Sequence, residues 1–173
     1  VKNGNNASFS FFSSVGNPNL NCITVDDASV SSSNWSNLKD AHTIFSNDCD
    51  AKTYVPDDNF EAYLEANNVG DGITNNDSVL TRSIDTIPRV ELWNLNISDM
   101  TGIEDFSSMN YLHCTNNLFT TIDISQNINL TYLGLEENQL QSIDISQNLN
   151  LQYLKCRNNQ ITSLDISLHL ESD

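Results

Sequence analysis

The apolar positions of this chain fall into a phrase that returns every 21 residues. Leu112-x-Cys114-x-x-Asn117-x-Phe119 is followed by Leu133-x-Leu135-x-x-Asn138-x-Leu140 and then by Leu154-x-Cys156-x-x-Asn159-x-Ile161. A second half repeats with it, as Ile122-Asp123-Ile124-Ser125-Gln126-Asn127, Ile143-Asp144-Ile145-Ser146-Gln147-Asn148 and Leu164-Asp165-Ile166-Ser167. The alternation in each first half predicts a short strand, its apolar side chains inward and the intervening ones outward. A second short strand per repeat is expected at Ile122–Ile124 and Ile143–Ile145, where β-branched and polar residues alternate. Asn117, Asn138 and Asn159 should bury their amides against backbone groups of neighbouring turns, since an unpaired buried polar group costs several kcal/mol.

Stacking the predicted strands aligns the outward side chains in three columns. The first is Arg89, Tyr111, Tyr132 and Tyr153; the second is Glu91, His113, Gly134 and Lys155; the third is Trp93, Thr115, Glu136 and Arg157. Tyrosine and tryptophan supply large contact areas with few rotatable bonds and dominate interface energetics. Candidate ligand-binding residues are therefore Arg89, Trp93, Tyr111, His113, Tyr132, Glu136, Tyr153, Lys155 and Arg157. The alternative is that the tyrosines only cover the pleat and shield the core. Lys155 and Arg157, two of seven basic residues, share one predicted strand segment, so an acidic protein or glycan could be received there.

Self-similarity at a period near 20 residues with an L-x-L-x-x-N core is the signature of a leucine-rich repeat solenoid. The expected fold is right-handed and β-rich, with a parallel concave sheet on the face where solenoids usually bind. More narrowly, the residues resemble the 21-residue leucine-rich repeats common in secreted and surface proteins of Bacteroidetes bacteria. That resemblance implies an exported, secreted or cell-surface protein without catalytic activity. Tyr54–Leu64 reads as a short amphipathic helix with Pro56 upstream and a capping box of Asp58 and Glu61. Its V-P-D-x-N-F-x-x-x-L opening resembles the helical cap that precedes the first repeat in that family. The first repeat is irregular: Val90-x-Leu92 leads Leu112-x-Cys114 by 22 residues, and Leu95 replaces the asparagine. Gly102-Ile103-Glu104-Asp105-Phe106 absorbs the extra residue and resembles the family's G-I-E-x-F turn.

The N-terminal segment aligns with the repeats as well. Asn17-Pro18-Asn19-Leu20-x-x-Ile23-x-Val25 matches Asn148-Leu149-Asn150-Leu151-x-x-Leu154-x-Cys156 without a gap, with Phe9 and Phe12 on Leu140 and Ile143. Terminal repeats are expected to be atypical. Asp26–Asp50 is polar, with Trp35, Leu38, Ile44 and Phe45 as apolar anchors, and resembles a capping loop of that family. Three regions result: 1–50, a degenerate last rung and capping loop of a preceding array; 51–86, a helical cap; and 87–173, the repeats. The array is expected to stop at Ser167, because Leu168–Asp173 breaks the pattern; its open end would continue or stack on another copy or repeat unit.

Cysteine, charge and candidate chemistry narrow the function. Cys114 and Cys156 share one slot two rungs apart, roughly 9–10 Å at ~4.8 Å per strand, too far for a disulfide. They read as small buried hydrophobes. Pairing Cys22 with Cys49 would close a long polar loop and imply an oxidising compartment; two free thiols are the alternative. The net charge of −16 makes nucleic acid an unfavourable partner, and no apolar run suits membrane insertion. Val1-Lys2-Asn3-Gly4 does not begin a signal peptide, so a mature product or excised fragment is expected.

An EF-hand at Asn67–Ser78 fails at two ligand positions, Val69 and Ser78, which favours a polar loop and no metal or cofactor. His42, His113 and His169 lie far apart, and no nucleophile or phosphate-loop motif occurs, so no enzyme is expected. Asn-x-Ser/Thr triplets occur at Asn6, Asn34, Asn76, Asn96 and Asn129, and Asp77-Ser78-Val79 and Asp85-Thr86-Ile87 resemble Bacteroidetes O-glycosylation sequons. The expected function is adhesion to a protein or polysaccharide through the concave face. The alternatives are a spacer or filament module of a large surface protein and an accessory domain of a polysaccharide-degrading enzyme.

Overall fold

Two short strands pair in parallel near the start of the computed structural model, which describes residues 12–169. They are β1 (Cys22–Thr24) and β2 (Ile44–Ser46), with Cys22 opposite Ile44 and Thr24 opposite Ser46. β1 falls where the alignment with the repeats placed it. The polar segment after it is not a plain loop, however. It holds helix α1 (Ala28–Trp35) and β2, so the rung at 17–25 is not the last strand of its sheet. The serine-rich composition hid the helix, which the Asp27 carboxylate starts by accepting the Val30 N–H at 2.9 Å. The rings of Phe12, Trp35 and Phe45 pack with centroids 5.8–6.2 Å apart. Cys22 and Cys49 form a disulfide with Cα atoms 5.8 Å apart. Phe9 lies outside the described residues.

The chain divides into two compact units, the second beginning at Lys52. This unit opens with an antiparallel pair, β3 (Lys52–Tyr54) and β4 (Ser78–Leu80), around helix α2 (Asp58–Ala66). The helix begins one residue earlier than its capping-box signature implied. Asp57 is the cap, and its Oδ1 accepts the N–H groups of Asn59 and Phe60 at 3.0 and 3.1 Å. Its Oδ2 reaches the first rung, accepting Ser98 N–H and Oγ–H at 2.8 Å each and Asp99 N–H at 3.2 Å. Glu61 is therefore released from capping and sits buried. Phe60 stacks on Phe106 of the first rung at 6.3 Å, seating the helix on the repeat core. A short helix α3 (Thr81–Ile84) leads into the sheet.

The repeats form a four-stranded parallel sheet of β5 (Arg89–Glu91), β6 (Tyr111–His113), β7 (Tyr132–Gly134) and β8 (Tyr153–Lys155). Behind it, Leu92, Leu112, Cys114, Leu133, Leu135, Phe119, Leu140 and Leu130 are fully buried. Each strand is only three residues long, so the asparagines carry much of the rung-to-rung bonding. Asn138 Nδ2 donates to the carbonyls of Cys114 and Leu135 at 2.9 and 3.1 Å, and Asn159 Nδ2 repeats this on Leu135 and Cys156. Asn117 also compensates the irregular first rung: its Oδ1 accepts the Leu95 and Ile97 N–H groups at 3.2 and 3.0 Å. Gly102 adopts φ +101°, and a Cβ there would stand 2.8 Å from the Tyr54 carbonyl oxygen.

The second strand expected at Ile122–Ile124 and Ile143–Ile145 does not form. Asp123 and Asp144 accept the N–H of Ser125 and Ser146 at 2.9 Å, which turns the chain before a ladder can start. Rungs are joined there by side chains instead. Asn127 Nδ2 donates to the Ile103 and Phe106 carbonyls, and Asn148 Nδ2 to those of Ile124 and Asn127. His169 lies 21 positions beyond Asn148 and takes the same slot, its Nε2 3.1 Å from the Asn148 carbonyl. The pattern thus runs past Ser167, which Leu168-His169 had concealed.

Candidate functional site

The register of the sheet places Arg89 beside Tyr111, Tyr111 beside Tyr132 and Tyr132 beside Tyr153. Tyr111 and Tyr132 stack with centroids 4.2 Å apart and planes 6° from parallel. The Arg89 guanidinium covers the other face of Tyr111, its Cζ 3.6 Å from the ring centroid. Tyr132 meets a tilted Tyr153 at 6.3 Å, with the Lys155 ammonium 5.4 Å from its centroid. Burial raises the Tyr111 phenol above its ordinary pKa, reinforced by the charge of neighbouring Tyr132. Lys155 is raised first by a side-chain hydrogen bond to Tyr132.

The second column is closed by Gly134, where a Cβ would lie 2.9 Å from the His113 ring. His113 therefore leans over β7, edge-on to Tyr132 at 6.4 Å, with Nε2 2.9 Å from Thr115 Oγ1. Thr115 in turn donates to Glu136 Oε2 at 2.9 Å. Glu136 differs from the other candidates because it is buried, at 9% exposure, while Trp93 and Tyr153 stand 52% and 61% exposed. Trp93 lies on the same face but makes no ring contact with the tyrosines among the described residues.

Charge on this face is largely matched. Arg89 pairs with Glu91 at 2.5 Å, and that hydrogen bond is the main cause raising its pKa. Arg157 stands 3.8 Å from Glu136 and 3.9 Å from Glu137. Glu137 is a site residue that sequence reasoning passed over. It occupies a left-handed slot, φ +57°, where the other rungs hold Asn94, Asn116 and Asn158. The signal was present as Glu136-Glu137 in place of a residue followed by asparagine.

The disulfide belongs to the first unit and the nine outward residues to the second, so the candidate residues form two separate groups. Cys114 and Cys156 are free, and burial pushes the Cys114 thiol far up. In the loop tested as an EF-hand, Asp71 instead pairs with the Lys52 ammonium. The carboxylates of Asp58, Glu61 and Asp77 come within 4.8 Å of one another, but both Glu61 oxygens already accept backbone N–H groups.

A solved structure titled as the functional domain of InlJ from Listeria monocytogenes, which includes a cysteine ladder, superposes with a TM-score of 0.62. It is 34% identical and covers 71% of this chain and 28% of that one. The fold is a leucine-rich repeat solenoid. An internalin (inlF) from L. monocytogenes strain 4b F2365 shares it at a TM-score of 0.51 and 24% identity, covering 66% of this solenoid chain and 33% of its own. Internalin J of L. monocytogenes serotype 4b (strain F2365) is 36% identical over 74 residues, 43% of this chain. The solenoid chain spans only 8% of that curated relative. No protein-family model matches. No helix among the described residues is long and apolar enough to cross a membrane.

Proposed function

We propose that this chain is part of a non-enzymatic, secreted or cell-surface recognition protein whose outward sheet face binds a protein partner. The observation that carries this is the stack of Arg89, Tyr111, Tyr132 and Tyr153. A sugar ring binds an aromatic platform by laying its C–H edge on the electron-rich ring face. Here those faces are occupied by the neighbouring ring or cation, leaving hydroxyls and ring edges for contact. Phenol edges beside matched charges suit the mixed polar and apolar chemistry of a protein surface better than a stacked glycan. Similarity to internalins supports a surface adhesion role.

Finer parts of the reading rest on sequence. The V-P-D and G-I-E-x-F segments favour the Bacteroidetes surface type. The slot of Cys114, Leu135 and Cys156 is read as an interrupted counterpart of the InlJ cysteine ladder. Residues 1–50 are read as the end of a preceding array, 51–86 as a helical cap and 87–173 as the next array. One observation favours this arrangement and, with it, the spacer alternative of units joined end to end. In the first unit Val25 N–H donates to the Ser46 carbonyl at 2.8 Å, as Cys114 N–H donates to that of Gly134 in the second.

The test screens the chain against cell-surface and matrix proteins and, in parallel, a glycan array. Combined alanine substitution of Tyr111, Tyr132 and Tyr153 should abolish a protein interaction while the fold melts within a few degrees of wild type. Protein binding that survives the triple substitution, or binding confined to glycans, would contradict the proposal.

A further inference from the structure

We infer that residues 67–77, between α2 and β4, form an acid-released latch, which opens on acidification while the repeats stay folded. Three carboxylates hold this segment. Glu65 accepts the N–H groups of Asp71 and Gly72 at 2.7 and 3.0 Å. Glu61 accepts those of Asn76 and Asp77 at 3.1 and 3.3 Å. Asp71 accepts Ile73 N–H at 2.9 Å and Asn76 Nδ2 at 3.1 Å, and pairs with Lys52. Apolar anchoring is slight: Ile73 is 57% exposed, and no apolar residue is buried between Val69 and Val79. The backbone is also held in left-handed conformations at Asn68, Gly72, Asn75 and Asp77. Such conformations persist only where surrounding bonds enforce them.

Protonation weakens every tie at once. A charged acceptor is worth about 1.5–3 kcal/mol per bond against about 1 for a neutral one, and a protonated carboxyl adds a donor needing a new partner. Burial pushes the Asp71 carboxyl up, but hydrogen bonds from Lys52, Asn76 and Ile73 bring it below its ordinary value. Its contribution is therefore present above its unfolded pKa and is lost as pH falls through the folded one. The charged groups around the segment are Lys52 on β3, Asp58, Glu61 and Glu65 on α2, its own Asp71 and Asp77, and Arg82 on α3. None is a histidine, so release belongs to the carboxylate range near pH 4 and not to the range near 6. The repeats are tied by asparagine amides, which do not titrate.

Hydrogen exchange of the full chain, corrected for intrinsic rates, tests this between pH 7 and pH 4. The amides of Asp71, Gly72, Asn76 and Asp77 should lose at least tenfold protection while those of Cys114 and Leu135 keep theirs. Glu61→Gln and Glu65→Gln should reproduce the loss at pH 7. Protection that falls together in the segment and the repeats, or a segment unchanged at pH 4, overturns the inference. If the variants fail to fold, the wild-type profile still decides.

Discussion

The pairs β1–β2 and β6–β7 share one backbone pattern and are supported by different means. In both, the residue after the first strand donates to the last carbonyl of the next. In both, the first residue of the second strand donates back to the residue before the first, as Ile44 does to Asn21 and Tyr132 to Asn110. Around β6–β7 the support is aliphatic burial and buried asparagines. Around β1–β2 it is three aromatic rings, a disulfide and polar turns, such as Asp40 accepting the Gly16 and Asn17 N–H groups. The solenoid backbone is therefore compatible with more than one interior, provided each strand is fixed from behind.

Breaking the aliphatic support should have the largest effect. Leu133→Ala removes a fully buried side chain and should destabilise the repeats by about 2–5 kcal/mol in chemical denaturation. Val25 and Ile44 amide protection in the first unit should be unchanged. The converse is replacement of Cys22 and Cys49 by serine. Opening a loop of 27 residues should cost the first unit roughly 3 kcal/mol and leave Leu133 amide protection intact. Asn148→Ala strands the Ile124 and Asn127 carbonyls and should cost about 1–3 kcal/mol, measured by the denaturation midpoint. Glu137→Asn should instead stabilise the repeats by roughly 1 kcal/mol, since asparagine tolerates the left-handed slot. If Arg157 depends on Glu137, that gain will be smaller in low salt than in high salt.

A pH titration sharpens the contrast further. Burial raises the Asp57 carboxyl, but the groups that donate to it hold it below its ordinary value overall. Its link between α2 and the first rung should thus be complete above pH ~4 and fade as pH falls below it. Asp57→Asn should reduce that acid dependence, measured by melting temperature between pH 3 and 7.

The sheet, its register and the three columns were legible because leucine and asparagine recur at a fixed period, and strand alternation then assigns every outward residue. Burial of Glu136 was not legible, since it depends on Thr115 one rung back and Arg157 one rung ahead. The absent second strand had the right alternation, but Asp123 and Asp144 spend that segment on turns. Helix α1 was missed because Ser29, Ser31, Ser32 and Ser33 carry a weak helical preference and no apolar stripe. The cap of α2 was misplaced by one residue, because adjacent Asp57 and Asp58 offer the same chemistry and only Ser98 distinguishes them.

The asparagine slots have a consequence for how such a chain can change length. Each Asn donates to carbonyls of its own rung and the one before, as Asn138 does to Leu135 and Cys114. A duplicated or deleted block of 21 residues therefore carries its own donors and acceptors, and the hydrogen-bond count stays balanced at both seams. A change of any other size shifts an amide away from the carbonyls it serves. Arrays of this kind can grow or shrink by whole rungs through ordinary recombination, renewing the outward columns while the interior is copied unchanged.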